Sequence, residues 1–354
     1  MAQHRGAHEA PTRELIPGVT RRAAALVVGV LLLQFGFVLS YVGAFHAPTP
    51  RDVPLAVVAP SGAPAGTAAS VVDRLDGLDS HPLDARTAGS EDDARRLLAD
   101  REVDGVLLLG TDGADTLLVA SAEGGAVGSA LTQVLTEVDS AQQRTLTTTD
   151  AIPAAAGDAR GLSAFYLAIG WVVGGYLVAA IIGVSAGSRP ATRVRGAVRL
   201  GALAVYGVVS GIGGALITGP VLGVFDGHVL ALAAFGALLV FAVGAVTMAL
   251  QVWTGLVGIG LAILLFVILG NPSAGGAYPA PLLPSFWAGI GPWLPPGAGT
   301  DAVRGIVYFD GAGAGRACLV LVVYALVGLA ATLAGSGRGA SAVEPEPQPE
   351  LVAV

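Results

Sequence analysis

Apolar residues in this chain collect into long unbroken runs, separated by stretches that alternate in the manner of a water-soluble fold. The runs cover residues 23–46, 163–186, 200–222, 228–250, 252–269 and 317–334. Each is close to the ~20 residues a helix needs to cross the hydrocarbon core of a bilayer. In hydrocarbon no water can satisfy backbone N–H and C=O groups, so a spanning segment is a helix or part of a closed barrel. Barrel strands alternate polar and apolar over about ten residues, and these runs do not. The pattern predicts an α-helical polytopic membrane protein with six transmembrane helices.

Residues 47–162 read differently. Strands are expected at 53–59, 81–88, 103–109 and 116–120, and helices at 64–78, 90–100 and 125–147. The helix at 90–100 has a clear start: Ser90 at the N-cap, Glu91, Asp92 and Asp93 in the first turn, Arg95 and Arg96 after them. The order βαβαββα describes a small α/β domain, about 100 residues long and large enough to fold alone. A five-helix membrane domain is expected over 163–335, interrupted by a hairpin loop at 271–315. Residues 1–22 read as a polar tail and 336–354, rich in Gly, Pro and Glu, as a disordered one.

Composition sharpens this picture. Of 354 residues, 53% are hydrophobic and only 13% charged, against about 25% charged in a typical soluble domain. The chain has no lysine; its 19 basic residues are all arginine. A phosphate-cradling P-loop needs its lysine, so any ATP-driven step requires a separate protein. The single cysteine, Cys318, lies in an apolar run and excludes both an intrachain disulfide and a multi-cysteine zinc site.

Charge also sets an orientation. Residues 47–162 hold 8 Arg and 18 Asp plus Glu, a net −10. The 187–199 loop carries Arg189, Arg193, Arg195 and Arg199 and no acid, and Arg21-Arg22 precede the first run while Arg338 follows the last. Arginines gather on the cytoplasmic side. The expectation is a plasma-membrane protein with both termini cytoplasmic and the acidic domain outside, between the first and second helices. A turn around Gln251 would then join helices four and five. Arg21-Arg22 before an apolar run can also open a signal peptide, but the run exceeds the ~7–15 residues of a signal h-region.

Candidate chemistry is sparse. No Asp, Glu, Arg or His lies in the interior of a predicted span, His46 and His228 standing at span ends, which argues against a proton-coupled transporter. Asp226 and His228 share a short turn but are too few to hold a metal. Gly170 with Gly174, and Gly207 with Gly211, have the spacing that lets helices approach closely. Gln34 is the one strongly polar side chain deep in a predicted span. The soluble stretch has many carboxylates but no Ser-His-Asp arrangement, so no enzyme activity, cofactor or nucleic-acid partner is expected; a ligand- or partner-binding role for it stays open. The most distinctive segment follows the fifth run: Asn271-Pro272-Ser273-Ala274-Gly275-Gly276-Ala277-Tyr278-Pro279, then Leu282-Leu283-Pro284-Ser285-Phe286-Trp287, Trp293-Leu294-Pro295-Pro296-Gly297, Arg304 and Tyr308-Phe309. It is too apolar for a solvated loop and too proline-rich for a span. It reads as a partly inserted hairpin capping the outer face, with Trp287 and Trp293 suited to the membrane interface.

Those residues resemble the C-terminal region of ABC-2-type permeases, nearest the branch with the phage infection protein (Pip) and YhgE-like membrane proteins. The layout of one helix, an outside domain and five further helices is similar too. Ser273-Ala274 departs slightly from the Thr-Ser or Ser-Ser that relatives often carry after Asn-Pro. The resemblance implies a permease subunit that exports an amphiphilic or envelope compound, dimerises, and is driven by a separate ABC-type ATPase docked on the 189–199 arginines. It implies a role for the hairpin motif Asn271, Pro272, Gly275, Gly276, Pro284, Trp287, Pro295 and Arg304. The alternative is a non-transporting cell-envelope protein whose outer domain acts as receptor or scaffold.

Overall fold

The computed structural model describes residues 14–16, 19–158 and 160–337; Arg338 and most of the two predicted tails lie outside them. A small antiparallel pair, β1 (Glu14–Ile16) and β2 (Val19–Thr20), leads into helix α1 (Arg21–Phe45). Thr20 Oγ1 caps α1 by accepting from the Ala23 N–H at 3.1 Å. Only 6% of the apolar stretch of α1 is buried, so nearly its whole surface is left for lipid or another chain.

The domain that follows contains β3 (Val53–Val58), α2 (Thr67–Asp76), β4 (Leu83–Thr87), α3 (Glu91–Ala99), β5 (Gly105–Leu108), β6 (Ala114–Val119), α4 (Gly125–Ala141) and β7 (Thr145–Asp150). Its sheet has the order β4-β3-β5-β6-β7. β4, β3 and β5 run parallel; β6 is antiparallel to β5, and β7 is parallel to β6. Alternate strand positions point to opposite faces. Leu55, Val57 and Leu117 pack with Leu75 of α2 and Leu131 and Leu135 of α4. Ala56, Val106 and Leu118 pack with Ala94 and Leu98 of α3 on the other face. β7 is a correction to the predicted order. The helix expected over 125–147 stops at Ala141, because Gln143 turns to φ +57 and the Arg144 N–H closes the turn on Asp139 O at 2.9 Å. The threonine-rich run 145–150 then follows its β-branched preference for an edge strand.

The helical bundle is built from α5 (Ser163–Ser185), α6 (Arg193–Leu216, continued by a π-helical turn to Val221), α7 (Val229–Thr254), α8 (Val257–Ile263, continued by π-helical turns to Leu269), α9 (Ser285–Ile290), α10 (Pro295–Tyr308) and α11 (Ala314–Gly335). α7 is central: fifteen of its residues are buried, and α5, α6 and α11 pack around it. Five helices among the described residues are long and apolar enough to cross a membrane: α1, α5, α6, α7 and α11. The predicted span at 252–269 is different. α7 runs past 250 to Thr254, Gly255 breaks the chain at φ +67, and the remaining apolar helix is Val257–Leu269. At 1.5 Å per residue that is about 20 Å, short of the ~30 Å hydrocarbon core. Gln251 is therefore not in a turn. It is buried inside α7, and its Nε2 donates to Ala179 O of α5 at 3.2 Å.

The two glycine pairs part company. A Cβ on Gly211 would lie 2.3 Å from Ala233 O and 2.6 Å from Ala237 N, and one on Gly207 would lie 3.1 Å from Ala237 O. These glycines let α6 sit on the backbone of α7. Gly170 has nothing within 4 Å of an added Cβ and takes no part in such packing.

The sheet stands on the bundle by one end. The Arg51 N–H, just before β3, donates to Pro281 O at 3.0 Å. Ala122, after β6, shares a cluster with Phe309, and Leu282 joins the core under α2 and α4. The starts of β3 and β5 thus face the bundle. Their C-terminal ends, with the starts of β6 and β7, face away from it.

Candidate functional site

Residues 271–309 form the hub where α1, the domain and the bundle meet. Gly270, at the end of the π-helical turns, sits so close to Pro296 that a Cβ would lie 2.6 Å from its ring. The chain then turns at Gly275 (φ +70) and passes Gly276 against the Phe165 ring, where a Cβ would lie 2.6 Å from Cγ. It climbs to Tyr278 and Leu282 beside the domain and comes back through α9, which opens after Pro284. α10 begins at buried Pro295, a residue suited to a helix start because its missing N–H needs no partner there. Gly299 of α10 lies between Leu239 of α7 and Ala168 of α5, so α10 is packed inside the bundle rather than laid on its end. Trp287 is half-buried and stacks edge-on with Phe286, while exposed Trp293 receives the Arg316 guanidinium 5.4 Å from its ring centroid.

Arg304 holds the hairpin closed. It is 3% exposed. Its Nη1 donates to Gly275 O at 3.0 Å and its Nη2 to Gly161 O at 3.3 Å, ahead of α5. Gly124 sits at φ +108, which favours glycine, and a Cβ there would lie 3.2 Å from Nη2. Asn271 donates to the Tyr41 hydroxyl of α1, and Ser40 donates to Ile268 O. Pro272 is buried beneath this contact. These motif residues serve mainly to join α1, the domain and the bundle.

A second junction escaped the sequence reading. Arg101 of the domain pairs with Glu123 and, through Nη2, with Asp301 Oδ1 of α10 at 2.6 Å; its Nη1 donates to Ala312 O at 3.2 Å. Its guanidinium lies 5.3 Å from the centroid of the Phe309 ring. Burial works against the Arg101 charge, but Glu123 and Asp301 outweigh it and raise its pKa above the ordinary value. Neighbouring Asp104 is pushed up to about 7, mainly by burial and then by the charge of Glu123, with Arg101 opposing.

At the end of the bundle opposite the domain, the four predicted arginines divide. α6 begins at Arg193, since Thr192 Oγ1 caps it by accepting from the Arg195 N–H at 3.2 Å. The expected 187–199 loop is thus a short turn followed by two turns of helix. Arg199 donates to the carbonyls of Gly187 (2.6 Å) and Ala186, at the C-terminus of α5, where a cation offsets the helix dipole. Arg189 Nε donates to Val252 O at 3.2 Å. Arg193 and Arg195 are exposed and have no ion pair among the described residues. They lie in the first helical turn, where a positive charge costs about 0.3–1 kcal/mol.

Between α5 and α6, in their domain-side halves, runs a lateral groove of about 570 Å³. Tyr166, Gly170, Trp171, Ser210, Gly213 and Thr218 line it. Trp171 is its floor, fixed by an Nε1 donation to Ser210 O at 3.0 Å. The walls are mostly apolar, with hydroxyls at the edges.

A family model described as ABC-2 family transporter protein matches residues 24–334. The chain belongs to the ABC-2 transporter family. No curated protein and no solved structure matches it. The family match spans α1, the inserted domain and the whole bundle, and it makes this chain a membrane-embedded, multi-pass permease-type subunit. Gln251 and Arg101 were the residues of this permease that pattern reading missed. Gln251 sits between two apolar runs and so looked like a turn. Arg101 carries no signal in the sequence: its left-handed backbone (φ +60) and its partner Asp301 on α10 emerge only in the fold.

Proposed function

We propose that this ABC-2 permease moves an amphiphilic or cell-envelope compound across the membrane, powered by a separate ATPase. The observation that carries this reading is the lateral groove between α5 and α6. An amphiphile needs apolar walls for its tail and polar groups for its head, and the groove supplies Trp171 and Leu167 beside Ser163, Ser210 and Thr218. The domain is read as extracytoplasmic and both termini as cytoplasmic, in keeping with the arginines at the opposite end of the bundle. Val257–Leu269, whose end at Gly270 abuts Pro296 at the start of α10, is read as a sixth, irregular passage; such backbone is tolerated at membrane depth when buried in protein. Arg193 and Arg195 are the ATPase-docking residues, because they are exposed and stand where their own helix disfavours them. Exposed Gln34 on α1 favours a second copy of this chain against that helix, where its amide would find a partner. The hairpin motif supports membership of the Pip and YhgE-like branch.

The test is reconstitution with the ATPase that co-purifies. Gly170→Leu and Gly213→Leu fill the groove from positions with open space around them. They should abolish transport while leaving folding and ATPase association intact; unchanged transport in both overturns the groove as the path. Arg193→Gln with Arg195→Gln should release the ATPase. A chain that never associates with a nucleotide-hydrolysing partner has no energy source for export.

A further inference from the structure

The domain carries a second concave site that the transport reading does not use. β3 is followed by α2 and β4 on one side, and β4 by α3 and β5 on the other, with α2 and α3 on opposite faces of the sheet. The strand order therefore reverses between β3 and β5. In open α/β sheets a crevice forms at such a point, beyond the carboxyl ends of the strands. Here it is a cavity of about 220 Å³, entered past Pro60 after β3, Thr67 at the start of α2 and Gly110 after β5. At about 30 Å³ per water it has room for roughly seven waters, or one small organic molecule.

Its polar wall is asymmetric. Asp115 is satisfied: Oδ1 accepts from the Gly110 N–H at 2.8 Å and Oδ2 from Arg144 Nε at 2.7 Å. Arg144 is turned to other acceptors: its Nη2 donates to Gly110 O at 2.8 Å and to Asp115 Oδ1, and no hydrogen bond joins its guanidinium to the Asp139 carboxylate. Asp139 is different. It is 3% exposed, and its Oδ2 has no hydrogen-bond partner. It also stands in the last turn of α4, where the helix dipole repels a carboxylate. Burial, and then the charge of Asp115, push its pKa up to about 6, with Arg144 opposing. Arg74, the other cation at the rim, is held by Gln142. A buried carboxylate oxygen without a donor, at the negative end of a helix and beside a cavity, asks for a cation.

We propose that this crevice binds a small water-borne organic cation, a primary ammonium compound whose N–H groups donate to Asp139 Oδ2. The site opens at the end of the sheet that faces away from the bundle. At about 3.3 Å per residue, six-residue β3 holds it roughly 20 Å from the junction, so the ligand arrives from water and not as a lipid headgroup. The proposal does not depend on what the bundle transports.

The test uses the full chain in phosphatidylcholine nanodiscs and two probes with the same number of heavy atoms, 4-hydroxybutylammonium and 1,4-butanediol, followed by ligand-observed NMR. The amine should bind saturably and the diol should not. Asp139→Asn should weaken the amine at least roughly tenfold. Val71→Trp, which fills the crevice from the α2 wall, should abolish binding with Asp139 still in place. Amine affinity should be the same in nanodiscs containing phosphatidylethanolamine. Equal binding of the two probes, no saturation below roughly 10 mM, or an unchanged affinity in both variants overturns the proposal. Competition by phosphatidylethanolamine overturns its water-borne source.

Discussion

Gly211 and Gly213 are two residues apart on α6, yet alanine at the two positions should have opposite consequences. At Gly211 the new Cβ would be 2.3 Å from Ala233 O and 2.6 Å from Ala237 N. Ordinary contact begins near 3.4 Å, and both obstacles are α7 backbone, which no rotamer change can move. The helices must separate by about 1 Å, a gap that forfeits a quarter to a half of each dispersion contact along the seam. Overpacking of this kind costs about 1–3 kcal/mol. Gly213 has nothing within 4 Å of an added Cβ, so alanine there adds helix propensity worth at most about 1 kcal/mol. The assay is tryptophan-monitored thermal unfolding of the purified permease at fixed scan rate. At about 2–4 °C per kcal/mol, Gly211→Ala should lower the midpoint by roughly 2–12 °C, while Gly213→Ala leaves it level or slightly raised. A loss at Gly213 equal to that at Gly211 would refute the close crossing of α6 on α7.

Asp104 is held near pH 7 in the folded chain, so the native state binds a proton that the unfolded chain releases near pH 4. The unfolding midpoint should therefore fall as pH rises between about 4 and 7, by at most about 4 kcal/mol of stability from this group. Asp104→Asn should flatten that slope, and a wild-type midpoint independent of pH contradicts it. Arg101→Met leaves Glu123 and Asp301 without their cation, and should cost about 3–5 kcal/mol; hydrogen exchange should show faster opening around residues 301–312. Topology is read by thiol labelling after Cys318→Ala. A cysteine at exposed Ser129 should react with an impermeant reagent from outside, and one at exposed Thr192 only from inside; the reverse pattern sinks the orientation. Arg199→Gln should lower stability by freeing the α5 carbonyls, whereas Arg193→Gln should raise it slightly, by at most about 1 kcal/mol.

Local information settled much of this protein. Hydrophobic run length alone marks α1, α5, α6, α7 and α11, because lipid demands that a spanning segment satisfy its own backbone. Alternation and capping mark most of the inserted domain: Ser90 starts α3 where its hydroxyl meets the Asp93 N–H at 3.1 Å. The hairpin motif announces the family before any coordinates do. What the chain could not disclose locally was decided by contacts between distant segments. Gln251 reads as a turn until α5 offers it the Ala179 carbonyl. Residues 145–147 read as the end of a helix until β6 offers an edge to pair with. Gly211 and Gly213 are the same letter, and only the position of α7 tells a packing residue from a groove residue. Arg304 is marked by its motif and Arg101 by nothing in the sequence, and only the fold buries one among carbonyls and sets the other between two carboxylates. The unpartnered oxygen of Asp139 is likewise a tertiary fact. A carboxylate's neighbours come from the whole sheet, while the sequence specifies only those along its own helix.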